Sequence, residues 1–228
     1  MFDNYKSRNV VDKSVGDFIK NSVTELNADL IDRAKNNSLD SQTIDRDKFK
    51  AMDGSKVVDE IVKTMIGLDG KLHDSQIETL DLLEKGNSVL SVMPTGRGKS
   101  LIFQTFASKL ALKDNKMSIF VYPLRALISD QAFHLQKNLE KFGLQICVLN
   151  GETPNEEREE IYKKMSEHKI DIMLTTPEFL AIHIDKVAKH ADVSFVVIDE
   201  AHHLGQVKVG ERSAKTCGLP KSSKILGM

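Results

Sequence analysis

At 228 residues the chain is long enough to bury a substantial core without disulfide or metal staples. Hydrophobic residues make up 40% of it and charged residues 29%, which excludes the disordered and collagen-like classes. Its 32 Lys and Arg nearly cancel its 33 Asp and Glu, so attraction for a polyanion has to come from a local patch and not from the field of the whole molecule.

Residues 1–10 are polar and lack the apolar core of a secretory signal, and the longest apolar runs fall far short of the roughly 18 residues a membrane span needs. A cytoplasmic setting without membrane contact is therefore expected, with Cys147 and Cys217 as free thiols too far apart to chelate a metal together. Val11, Val15, Phe18, Ile19, Val23, Leu26 and Leu30 recur at helical spacing and predict one amphipathic helix. After a polar break at 36–43, Val58, Ile61, Val62 and Met65 predict a second helix, with Ser55 as N-cap and Gly67 as its stop. Residues 1–69 read as a small helical N-terminal appendage whose mixed charges suit packing or interaction better than an independent nucleic-acid arm.

From position 70 the pattern changes. Apolar runs at 88–93, 117–122, 145–150, 171–175 and 193–198 lack strict alternation, as strands buried on both faces do. Helical segments lie between them. Ser75 and Glu78 suggest a capping box, Thr153, Pro154 and Glu156 a second helix start, and Leu127, Ile128, Gln131, Leu135 and Leu139 a helix that ends before Gly143. The expected fold is α/β, a parallel sheet flanked by helices, with ligands at the carboxyl ends of the strands.

At the end of the first such strand stands Met93-Pro94-Thr95-Gly96-Arg97-Gly98-Lys99-Ser100, followed by an apolar helical stretch at 101–112. Two glycines let successive backbone N–H groups turn inward toward phosphate oxygens, so residues 95–100, from Thr95 through Gly96, Arg97 and Gly98 to Lys99 and Ser100, form a candidate ATP-binding loop. Lys99 adds charge for the β and γ phosphates, and Ser100 offers a hydroxyl to Mg²⁺. About one hundred residues on, the run at 194–198 delivers Asp199-Glu200-Ala201-His202. An acidic pair at the end of a buried strand is costly unless a cation or water meets it. Asp199 is the expected partner of Mg²⁺, and Glu200 the base that orients and deprotonates an attacking water.

Together these two stretches resemble superfamily 2 helicases of the DEAH type, whose loop takes the Pro94-Thr95-Gly96 form where the general pattern has glycine at Met93. The resemblance implies a RecA-like P-loop NTPase domain across 70–228, and a catalytic His202 linking the nucleotide to the nucleic-acid side. Leu72-His73-Asp74-Ser75-Gln76 is similar to the adenine-recognition motif of RecQ helicases, which implies that Gln76 reads the adenine edge through its donor and acceptor atoms. Tyr122-Pro123-Leu124-Arg125-Ala126-Leu127 resembles motif Ia and Thr175-Thr176-Pro177-Glu178-Phe179-Leu180 motif Ib, and Asn150-Gly151 resembles a RecQ segment on the same side. These place Pro123, Leu124, Arg125, Thr176, Pro177 and Glu178 on the sugar-phosphate backbone of one strand, single-stranded DNA before RNA. The proline at each site is equally able to start a helix and nothing more.

The likeness is dense over 72–201 and then thins. The stretch 204–217 contains no Phe, Tyr or Trp where RecQ enzymes carry an aromatic-rich loop, so a RecQ-like cousin is expected. The end at Ile225-Leu226-Gly227-Met228 stands where such helicases continue into a Thr-Ala-Thr or Ser-Ala-Thr coupling motif. The resemblance thus implies a second RecA-like domain as partner, absent from this chain, and an ATP-dependent DNA helicase as the whole. An RNA helicase and a non-catalytic ATP-binding scaffold are the alternatives.

Overall fold

A computed structural model describes residues 46–94, 96–201 and 224–228. The predicted helix at 11–30, Cys217, and the stretch 204–217 lie outside them. Six strands form one all-parallel sheet: β1 (Val89–Leu90), β2 (Met117–Val121), β3 (Ile146–Leu149), β4 (Ile172–Thr175), β5 (Val193–Ile198) and β6 (Lys224–Gly227), in the order β1-β6-β5-β2-β4-β3. The helices are α1 (Arg46–Ala51), α2 (Gly54–Ile66), α3 (Asp74–Glu84), α4 (Lys99–Asp114), α5 (Arg125–Leu139), α6 (Asn155–Ser166) and α7 (Pro177–His190). Among the described residues no helix is long and apolar enough to cross a membrane.

Adjacent strand residues feed opposite cores. Phe120 packs with Phe103, Phe106, Ile128 and Leu135 under α1 to α5, while Ile119 and Val121 pack with Ile161, Met165, Phe179 and Val187 under α6 and α7. Burial on both faces is why these strands read as continuous apolar runs. Edge-on contacts of Phe103 with Phe120 and Phe106 with Phe195 fix α4 against the sheet.

The described part of the segment before position 70 packs onto the α/β unit. Phe49 on α1 and Val57 and Ile61 on α2 belong to the same core as Phe103, Phe106 and Phe195. Arg46 anchors this segment from a distance: its guanidinium forks onto Asp171 at 3.1 and 2.8 Å and donates to the Gly143 carbonyl at 3.3 Å. Asp171 also accepts from the Gln145 N–H at 2.8 Å, which ties the start of β4 to that of β3. No apolar period announced α1, whose six residues bury Phe49 alone.

Several caps differ from expectation by a residue or two. Helix α2 starts on Asp53, whose carboxylate accepts from the Ser55 N–H and hydroxyl, so Ser55 is the capped residue and not the cap. Gly67 ends α2 as expected, with φ 93. Helix α3 starts at His73, and Gln76, three residues on, accepts the His73 N–H at 2.8 Å in place of the predicted Ser75 and Glu78 box. The Thr153 hydroxyl oxygen accepts from the Asn150 N–H, and Pro154 takes the cap of α6. Beside α4, β1 is two residues long, and pairing continues only through the Ser91 N–H onto Gly227.

Arg46→Ala leaves a largely buried Asp171 carboxylate short of two charge-assisted hydrogen bonds and should lower unfolding stability by about 2 kcal/mol. Urea denaturation followed by circular dichroism reads this; an unchanged midpoint would place residues 46–66 outside the cooperative core.

Candidate functional site

Because every strand is parallel, the carboxyl ends of β1, β2, β4, β3 and β5 open on one edge, and the predicted site residues follow them. The loop after β1 turns through Gly96 at φ 78 and Gly98 at φ 71, left-handed conformations that favour glycine. Gly98 caps α4, with Lys99 and Ser100 in its first turn. Among the described residues, no backbone carbonyl outside α4 accepts from the Lys99 or Ser100 amide, and the first N–H groups of a helix are the ones without intrahelical partners. Thr95 and His202 lie outside the described residues.

Gln76 is buried, and its amide is turned onto the loop. Its nitrogen donates to the carbonyls of Arg97 at 3.2 Å and Gly98 at 3.0 Å, while its oxygen holds the His73 N–H. A Cβ on Gly98 would lie 2.6 Å from that nitrogen, which gives Gly98 a second reason to be glycine. In this arrangement Gln76 couples the start of α3 to the loop, and both ends of its amide are engaged before any base arrives.

Strands β1 and β5 are not adjacent; β6 lies between them. The end of the chain joins the two halves of the site. The Ser91 N–H donates to Gly227, the Met228 N–H to Ile198 at 3.0 Å, and the Ala201 N–H to Met228 at 2.6 Å. Gly227 is tightly enclosed, since a Cβ there would stand 3.0 Å from Leu90. Asp199 is pinned by its own N–H to the Val121 carbonyl at 3.0 Å. Its carboxylate accepts from the Glu200 N–H at 3.0 Å, and Glu200 occupies φ 50, a conformation strained for a residue with a side chain.

Burial raises the Asp199 pKa above the usual carboxylate range, the Glu200 charge raises it further, and the Glu200 N–H and the Lys99 ammonium pull it down. Buried Tyr122 is pushed up by burial and by the Asp199 charge. The Lys99 effect means that the loop lysine and the acidic pair share one field although a strand separates their parent strands. A partly desolvated carboxylate in the field of a lysine, at the same sheet edge as a helix N-terminus, is a donor set that Mg²⁺-ATP fits. Lys99, Gly98 and the first turn of α4 would hold its phosphates, and Ser100 and Asp199 its metal ion.

The other two loops lie beyond β2, β3 and β4. Leu124 is exposed, Pro123 half-buried, and Arg125 opens α5 with its guanidinium on Glu152 at 3.2 Å. Thr176 is 1% exposed, and its hydroxyl caps α7 by accepting the Phe179 N–H at 3.3 Å; Pro177 follows it, buried. Those two are therefore helix-starting residues here, and of the predicted motif Ib contacts only Glu178 is exposed. Sequence reasoning missed Arg158, which donates to the Asn150 and Gly151 carbonyls at 3.4 and 3.1 Å and lies over the Phe179 ring at 5.3 Å. A cation near a helix start opposes the dipole, and that placement was its one sequence signal.

Residues 73–228 match the DEAD/DEAH box helicase family. The chain belongs to that family. It is 27% identical over 158 residues to the ATP-dependent DNA helicase RecQ of Haemophilus influenzae, across 67% of this chain and 24% of the relative. It is 29% identical over 150 residues to a putative ATP-dependent RNA helicase R290 of Acanthamoeba polyphaga mimivirus, across 64% of this chain and 25% of the relative. The crystal structure of DUF1998 helicase MrfA bound to DNA superposes with a TM-score of 0.62 at 22% identity, over 75% of this chain and 26% of that one, a likeness of fold. The chain spans about a quarter of the length of these relatives. The RecA-like fold expected of such a helicase is the one observed.

Two outcomes follow from the geometry. Gly98→Ala should lose nucleotide affinity and about 1–2 kcal/mol of stability, because φ 71 becomes strained and the new methyl meets Gln76; Gln76→Ala in the same chain relieves only the second cause. Asp199→Asn should raise the melting temperature of the ligand-free chain at neutral pH. A raised pKa means the ionised carboxylate is worse accommodated folded than unfolded, so the gain should shrink on acidification as Asp199 protonates. Differential scanning calorimetry across pH reads the sign.

Proposed function

We propose that this chain is the ATP-binding motor domain of an ATP-dependent DNA helicase of RecQ-like type. The observation that carries the reading is the loop that turns through positive φ at Gly96 and Gly98 into the first turn of α4, at the same edge of the sheet as Asp199 and Glu200. Mg²⁺-ATP, when bound, supplies a γ-phosphoryl group whose charge is partly neutralised by the metal. The loop amides and Lys99 bind and orient the phosphates. Ser100 and Asp199 hold the ion, and the Glu200 carboxylate positions a water and accepts its proton. His202, by its resemblance, relays the state of this site toward the nucleic acid. Gln76 either holds the loop as it stands or turns outward to the adenine.

Arg125 and the exposed ends of the β2 and β4 loops make the candidate backbone contacts, which read phosphate and not base. The RecQ-like residues 72–76 favour DNA over RNA. A second RecA-like domain, elsewhere in the whole protein, would complete the nucleotide cleft; an arginine finger contributes roughly 10³ to 10⁵ in rate in related phosphoryl-transfer enzymes, so this chain alone should bind Mg²⁺-ATP and turn it over slowly.

Lys99→Ala should abolish binding of a fluorescent ATP analogue, whereas Glu200→Gln should bind normally and lose about 10²-fold or more in turnover in the whole protein. Equal loss of binding in both would remove the division of roles. Single-stranded DNA should stimulate the whole protein's ATPase more than RNA at the same salt; stimulation by RNA alone would establish the RNA reading instead.

A further inference from the structure

Arg125 already has an anion. Its Nη1 donates to Glu152 Oε1 at 3.2 Å, and its guanidinium lies over Gly151 so closely that a Cβ there would come within 3.4 Å of Nη2. Glu152 is held in place by its own loop. Its N–H donates to Asn150 Oδ1 at 2.8 Å, the Asn150 N–H donates to the Thr153 hydroxyl at 3.1 Å, and Arg158 clamps the Asn150 and Gly151 carbonyls from the other side. Asn150 and Thr153 are both buried, so the turn cannot relax cheaply. The two charged side chains remain 51% and 42% exposed, accessible to a competing ligand.

We propose that Glu152 is a further residue of the nucleic-acid site: the internal carboxylate that occupies Arg125 until a backbone phosphate replaces it. This rests on the reading of Arg125 as a phosphate contact. A cation at the first position of α5 opposes the helix dipole, so an anion beside Arg125 is favourable, and Glu152 and a phosphate are alternative ways to supply one. Binding then includes the loss of the Glu152 pair, which lowers affinity and lets the loop after β3 sense an occupied Arg125. Both anions compete for Nη1, the nitrogen that Glu152 holds, so a phosphate takes that contact only as Glu152 gives it up.

The test is fluorescence anisotropy with a labelled oligothymidylate at low salt, using the full chain, Glu152→Gln, Arg125→Ala and the double variant, each first matched to the parent by thermal unfolding. Glu152→Gln should bind about two- to fivefold tighter, since exposed pairs of this kind are worth a fraction of a decade to most of one. Arg125→Ala should bind more weakly, and adding Glu152→Gln to it should change nothing further. If Arg125→Ala weakens binding while Glu152→Gln does not strengthen it, the latch is wrong and the phosphate contact stands. If Glu152→Gln strengthens binding equally with and without Arg125, general charge repulsion replaces the latch. If Arg125→Ala has no effect, the phosphate contact itself is wrong, and the latch with it.

Discussion

The backbone pairing of β6, between the strand that leads to the glycine loop and the strand that leads to the acidic pair, is the constraint on which the proposed site depends. Lys99 leaves the sheet from its edge strand and Asp199 from the strand two places in, and β6 keeps them in register. Three backbone bonds, from Ser91 to Gly227, from Met228 to Ile198 and from Ala201 to Met228, carry that register from one half of the site to the other. The strand between the loop and the acidic pair is thus a spacer that sets their separation. A Cβ at Gly227 would crowd the Leu90 side chain at 3.0 Å.

Unfavourable local features gather at the same edge. Burial raises the Asp199 pKa, Glu200 is bent into a left-handed conformation, Gly96 and Gly98 take positive φ, and Arg125 stands at the wrong end of a helix for its charge. Away from it, strands are apolar on both faces, and Arg46 meets Asp171 in a hydrogen-bonded network. A fold can sustain unfavourable charges at its ligand-binding edge only where the remaining packing over-determines the backbone that carries them. The buried pairings of β2 with β4 and β5 supply that rigidity.

Much of this was legible from residues alone. Strands buried on both faces betray themselves by unbroken apolar runs, and the chemistry-bearing turns follow them directly, so the loop at 96–100 and the acidic pair at 199 and 200 could be located before any coordinates. Strand order could not. Periodicity identifies strands without saying which are adjacent, and a four-residue β6 that completes the site is too short to announce its place. Helix starts slipped because Asp53, Ser55, His73, Ser75 and Gln76 are all competent cap residues, and hydrogen-bond geometry, not residue type, decides among them. Gln76 and Thr176 show the same limit: both were expected to face a ligand, and both are engaged by backbone N–H groups of their own helices.

Hydrogen-deuterium exchange with and without Mg²⁺-ATP examines the shared nucleotide edge most directly. If one ligand bridges the loop and the acidic pair, peptides containing residues 96–101 and 199–201 should become protected together, at the same nucleotide concentration, and Lys99→Ala should erase both effects. Protection of the loop alone, or protection of the two peptides at different concentrations, would mean that Lys99 and Asp199 do not serve a common site.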